Sequence, residues 1–108
     1  MKIFYGSTFI EKKKLEEEGI KDQIKLEYYK IINEDEIVKG NKSKFGIEVV
    51  KTKYSENNNK IEKELIKYLS NDEGRVDEIL SIFKKNAVTP INVQDVLSDM
   101  SKKFIVFL

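Results

Sequence analysis

Alternation of apolar and polar residues is the feature that limits this chain most. Along residues 24–32, Ile24, Leu26, Tyr28 and Ile32 fall on one side with Lys30 among them, and Lys25, Glu27, Tyr29 and Ile31 fall on the other. A period of two belongs to a strand, because successive side chains leave a strand on opposite faces. Residues 45–54 repeat the pattern, with Phe45, Ile47 and Val49 on one face and Glu48, Val50, Thr52 and Tyr54 on the other. Gly40-Asn41 between the two stretches is a turn signal. A second turn follows at Asn57, Asn58 and Asn59, since Asn tolerates the left-handed conformation. Residues 60–69 fit two patterns. Ile61, Leu65 and Leu69 make a helical stripe, and the same residues also alternate against Ile66 and Tyr68. The Asn-rich turn just before them favours a strand.

Past Ser70 the period becomes that of a helix. Ser70 with Glu73 three residues later can form a capping box, although Gly74 weakens the first turn. Val76, Ile79, Leu80 and Phe83 share one face, and Asn86 ends the helix. Thr89 then offers a second cap, with Pro90 at the first helical position. Val93, Val96, Leu97, Met100 and Phe104 make the second stripe. Strands followed by helices predict an α+β fold: an antiparallel β-meander of three or four strands followed by a C-terminal helical hairpin. The expected organisation is a single domain over 1–108. Residues 1–23 form an N-terminal extension or edge strand, 24–69 the sheet, and 70–108 the helix pair and an apolar tail. The charge run at 11–18 reads as a solvated strand end or a short helix, broken by Gly19.

A chain of 108 residues buries roughly two-thirds of its unfolded surface on folding, which is enough for one core without staples. It contains no Cys and no His. Disulfides, thiolate chemistry, zinc fingers and iron–sulfur ligation are therefore excluded. So are the nucleophile–imidazole systems and the usual base near neutral pH. Carboxylates, Lys and Tyr remain available, but no arrangement of them nominates a catalytic residue, a cofactor site or a metal site. The acidic stretch Asn33-Glu34-Asp35-Glu36 places Ile37 at the third ligand position of a calcium loop and lacks the central Gly, so it reads as a solvated turn. The net charge is +1, which lacks the basic excess that duplex DNA binding draws on. A recognition helix carrying Gln94, Asp95, Ser98 and Asp99 would repel phosphates. No apolar stretch approaches ~20 residues, and the N-terminus lacks a convincing secretory signal, so a cytoplasmic protein away from membranes is expected.

Four segments carry a resemblance: Leu26-Glu27-Tyr28-Tyr29, Phe45-Gly46-Ile47-Glu48-Val49-Val50, Val88-Thr89-Pro90-Ile91 and Asp95-Val96-Leu97-Ser98-Asp99. Together they resemble a family of short proteins from anaerobic, low-GC Gram-positive bacteria that is known only as a domain of unknown function. The resemblance spans roughly residues 24–104 and implies no activity. The family pattern often has His at the position of Asn92, where this chain departs from it.

Two surfaces stand out as candidates for interaction. Tyr29, Ile31, Val50, Tyr54, Ile66 and Tyr68 are expected on the second face of the sheet, which is too apolar for a solvated face. That face is covered by the N-terminal segment or a helix, binds a partner, or stacks single-stranded bases. Lys51, Lys53, Lys63 and Lys67 are expected mainly on the opposite face. The apolar terminus Phe104, Ile105, Val106, Phe107 and Leu108 either docks on its own domain or buries against another subunit. The sequence is thus read as a non-enzymatic interaction or regulatory module. A homodimer held partly by residues 104–108 is expected, with Tyr29, Tyr54 and Tyr68 as further contacts. The alternative is an accessory protein that binds nucleic acid.

Overall fold

The computed structural model describes residues 1–10, 16–19, 22–34, 43–56 and 58–103. Four strands, β1 (Lys2–Phe9), β2 (Gln23–Ile32), β3 (Phe45–Tyr54) and β4 (Lys60–Ser70), form one antiparallel sheet in the order β1-β2-β3-β4. Two helices follow: α1 (Glu73–Lys85), then α2 (Val93–Lys103), which is entered through a 3-10 turn over Pro90–Asn92. The α+β meander-then-helices reading holds, and residues 60–69 are strand. The acidic turn and the Gly40-Asn41 signal lie largely outside the described residues, as do Phe104, Ile105, Val106, Phe107 and Leu108.

Both helices cover one face of the sheet. Leu26 and Tyr28 of β2, with Phe45, Ile47 and Val49 of β3, pack against Val76, Ile79, Leu80 and Phe83 of α1 and Val93, Leu97 and Met100 of α2. Each fully buried side chain of this size contributes about 1.5–3 kcal/mol. Tyr28 is fully buried, and its hydroxyl donates to the Val88 carbonyl at 2.9 Å, so the sheet centre is tied to the connection between the helices. Lys30, also on this face, reaches Glu73 at 2.8 Å and Asp77 at 2.9 Å in the first turns of α1.

Two irregularities interrupt the pairing. Register shifts between Phe4 and Gly6 leave Tyr5 as the extra residue of β1. A larger shift, between Phe45 and Ile47, is matched on β4 by the stretch from Ile66 to Ser70. The hairpin register, which sets Lys60 opposite Lys53, decides where β4 points its side chains; the second shift inserts two residues and leaves the faces unchanged. Ile66 pairs with Ile47 and packs on the core, and Leu65 pairs with Glu48 on the far side. The expectation that Ile66 sits on the second face is therefore corrected. Gly46 makes the bulge possible: a Cβ there would lie under 3.0 Å from the carbonyl oxygens of Ile66 and Lys67. Asn33, itself buried, donates from Nδ2 to the Lys67 carbonyl at 2.8 Å and holds the bulged segment against the end of β2.

The caps also differ from expectation. Because β4 runs on to Ser70, the N-cap of α1 is Asp72, whose carboxylate accepts from the Arg75 amide at 3.3 Å; the Ser70 hydroxyl accepts from the Asp72 amide. At the C-terminus of α1, Val88 N–H bonds the Phe83 carbonyl and Ala87 N–H bonds the Lys84 carbonyl, with Ala87 at φ +50. This is the paired closure that usually takes Gly at the left-handed position. Thr89 precedes Pro90 as expected, but its hydroxyl accepts from the Asn92 side chain at 3.0 Å and not from a backbone amide.

Candidate functional site

Among the described residues, no helix packs on the second face of the sheet, and that face is the candidate site. Its residues follow from strand register. One row across the four strands reads Phe4, Tyr29, Glu48, Leu65; the next reads Ser7, Glu27, Val50, Lys63; the third reads Phe9, Lys25, Thr52, Ile61. Side chains in a row point the same way and interact directly with their neighbours.

The edges of this face are exposed hydrophobics: Phe4 is 54% exposed, Phe9 49%, Ile61 59% and Leu65 47%. Its middle is closely packed, with Ile31, Val50, Thr52 and Glu48 all buried. Its carboxylates already have partners. Lys2 Nζ bonds Glu48 Oε1 at 2.7 Å and lies 4.3 Å above the Tyr29 ring. The Tyr29 hydroxyl donates to Glu27 Oε2 at 2.9 Å, and the Phe4 and Tyr29 rings meet edge-on at 5.6 Å. Partial burial, followed by the hydrogen bond to Glu27 and the nearby carboxylates, pushes the Tyr29 phenol upward. Such a surface presents apolar edges about a polar middle whose carboxylates are held in place.

The sequence-predicted site residues are only partly brought together. Tyr29 and Tyr54 share this face but sit six positions apart along the strands, about 20 Å. Tyr68 sits instead beside α2, in a shallow groove with Ile66, Leu97 and Ser101. Lys63 pairs with Val50 on the helix-free face, contrary to the expectation that it projects from the other one. Sequence reasoning missed Phe4, Phe9, Ile61 and Leu65. The signal that could have found the last two is their mirrored placement with Thr52 and Glu48 about the Asn-rich turn.

A second concavity, about 780 Å³, opens between the C-terminus of α1 and the start of α2. Lys51, Lys84 and Lys85 line it, as do Asp95, Asp99 and Glu18, so its charges are mixed. Two buried or half-buried groups have shifted proton affinity on the helix side. Burial raises the Tyr28 phenol, and the hydrogen bond to Glu73 raises the Lys30 ammonium. Neither lines this cleft, and both serve structural contacts. Among the described residues, no group of His, Cys, Asp and Glu could hold a metal ion, and no helix is long and apolar enough to cross a membrane.

The sequence profile of a family of unknown function, DUF6514, matches residues 7–103. The chain belongs to this family. The match extends the expected resemblance back into β1, so the DUF6514 pattern takes in most of the sheet and both helices. Comparison with curated proteins and with solved structures gives no match to either. DUF6514 membership therefore supplies a family and no activity.

Proposed function

We propose that this protein is a non-enzymatic protein-interaction module that acts in the cytoplasm and uses the helix-free sheet face as its working surface. One observation carries the reading: Phe4 and Phe9 on one edge, and Ile61 and Leu65 on the other, are exposed on a single face whose carboxylates Glu48 and Glu27 already have partners. Several large apolar side chains left exposed on one face of a small sheet point to an interaction site. Self-association fits this surface, and the apolar residues Phe104, Ile105, Phe107 and Leu108 would add to it. Tyr29 and Tyr54 contribute aromatic contact area of the kind found in interface cores.

Nucleic acid is the weaker alternative. On the face itself, Lys2, Lys25 and Lys63 are interleaved with Glu27 and Glu48, and Lys2 is engaged with Glu48. The exposed side of α2 carries Asp95 and Asp99. The test immobilises the full chain and its Phe4→Glu, Leu65→Glu variant and compares what each retains. A protein, including another copy of the chain, held by the first and lost by the second supports the reading. Retention of single-stranded oligonucleotide that weakens steeply with salt would replace it with the nucleic-acid reading.

A further inference from the structure

We infer that the occupant of the helix-free face is a second copy of this chain, stacked sheet to sheet about a two-fold axis that runs along the strands. The inference rests on the interaction-module reading and names its partner. Three observations support it.

The first is self-complementarity. In the row Phe4, Tyr29, Glu48, Leu65 the outer residue is aromatic on β1 and aliphatic on β4, and in the row Phe9, Lys25, Thr52, Ile61 it is the same. A two-fold rotation about the strand direction keeps each row at its own height and exchanges the β1 edge with the β4 edge. It therefore sets Phe4 over Leu65 of the partner subunit, and Phe9 over Ile61 of the partner subunit. Each aromatic ring meets a branched aliphatic, which is the large-against-small packing that sheet stacks use. The same operation repeats every contact, as a closed dimer requires.

The second is charge. Stacking buries Glu48 and Glu27 further, and both already have partners on the same face, Lys2 at 2.7 Å and the Tyr29 hydroxyl at 2.9 Å. In the middle row, Lys63 of one copy comes over Ser7 of the partner subunit, beside Glu27 of the partner subunit, so the exposed cation lands next to an anion. The two carboxylates thus keep partners on burial, while Lys25 in the third row comes over Thr52 of the partner subunit with the Phe9 ring 5.9 Å away.

The third is area. Four strands at ~4.8 Å spacing and about ten residues long present a face of roughly 500–600 Å². Two of them bury roughly 1,000–1,200 Å², which reaches the threshold for a specific interface.

The experiment is sedimentation velocity on the full chain and a small set of variants, with cooperative melting of each variant as the check that it folds. The wild type is expected to be a dimer. Phe4→Lys alone and Leu65→Glu alone each raise the dimer Kd more than about 30-fold, the loss typical of a central anchor. Carrying both substitutions in one chain recovers at least about 10-fold of that loss, because the stack places the two introduced charges against each other across the interface. Ile91→Glu, at a residue 82% exposed outside the sheet, leaves the Kd unchanged. Should either variant fail to fold, Phe9→Lys with Ile61→Glu repeats the logic one row pair away. A dimer indifferent to the single substitutions overturns the inference and leaves self-association standing; loss of that dimer on deleting residues 105–108 would then assign it to the C-terminal run. Single losses without recovery in the double variant overturn the two-fold arrangement. A wild type that sediments as a monomer at tens of micromolar overturns both the inference and self-association.

Discussion

Gly46 is the residue whose replacement the structure prices most clearly. It lies in β3 opposite the bulge of β4, and a Cβ added there would sit under 3.0 Å from the carbonyl oxygens of Ile66 and Lys67 and from the Lys67 carbonyl carbon. All three are backbone atoms, so no rotamer change relieves the overlap. Restoring ordinary contact requires β4 to recede by roughly 1 Å. That displacement stretches the neighbouring N–H···O bonds past their useful range. Ladder bonds are worth about 1 kcal/mol each, and strain from overpacking adds about 1–3 kcal/mol. Gly46→Ala is therefore expected to cost about 3–4 kcal/mol, a large share of the ~5–15 kcal/mol that holds a domain together. Urea unfolding followed by circular dichroism reads this as a midpoint lowered by about 2 M at a typical slope. Gly74→Ala is the internal control. Its Cβ would meet only the Asp72 side-chain oxygen, at 3.3 Å, and Ala in the first turn of α1 should add up to about 1 kcal/mol of stability. If Gly46→Ala shifts stability by less than about 0.5 kcal/mol, the close approach of β4 to β3 is not what that position requires.

Tyr28→Phe removes the hydroxyl that donates to Val88 and leaves a buried carbonyl unpaired, at a cost of about 1–3 kcal/mol; a change within error in chemical denaturation would mean that the carbonyl finds another donor. The folded state should also lose stability in alkali. Burial raises the Tyr28 phenol, burial with Glu27 raises the Tyr29 phenol, and Glu73 with Asp77 raises the Lys30 ammonium, so the folded chain holds these protons more tightly than the unfolded chain does. Their contributions are complete below the unfolded values near pH 10 and fall as pH rises beyond them, with a slope of about 1.4 kcal/mol per unit from Tyr28 alone. Urea midpoints that stay flat from about pH 9 to about 11 would contradict this, and Tyr28→Phe should flatten the slope.

The central strands were legible because residues 24–32 and 45–54 alternate cleanly and each strand buries one full face. The helices were legible because Val76, Ile79, Leu80 and Phe83 recur at helical spacing and all reach the core. What escaped was register. The turn after Tyr54 sets Lys60 opposite Lys53, and nothing in the side-chain pattern of residues 60–69 shows that register. The alternation alone puts Ile66 outside and Leu65 inside. β1 is obscured by its bulge, since the extra residue at Tyr5 breaks its alternation between Phe4 and Gly6. The site inherits both errors: the exposed apolar residues of the helix-free face come from β1 and β4, whose facing residues only pairing could fix. Ser70 was read as a cap because capping follows local chemistry, whereas the length of β4 is decided by pairing with Phe45.

The irregular pairing of the outer strands also bears on how such a sheet behaves in a crowded cell. A sheet rich in Ile, Val and Tyr with open margins can template the addition of further strands, the first step toward fibres. Here β1 carries a bulge at Tyr5, and β4 is twisted at its bulge and presents Lys60, Glu62, Lys63, Glu64 and Lys67 along its length. An incoming strand would meet a bulge on β1 and a charged margin on β4. Both borders thus oppose growth of the sheet by added strands.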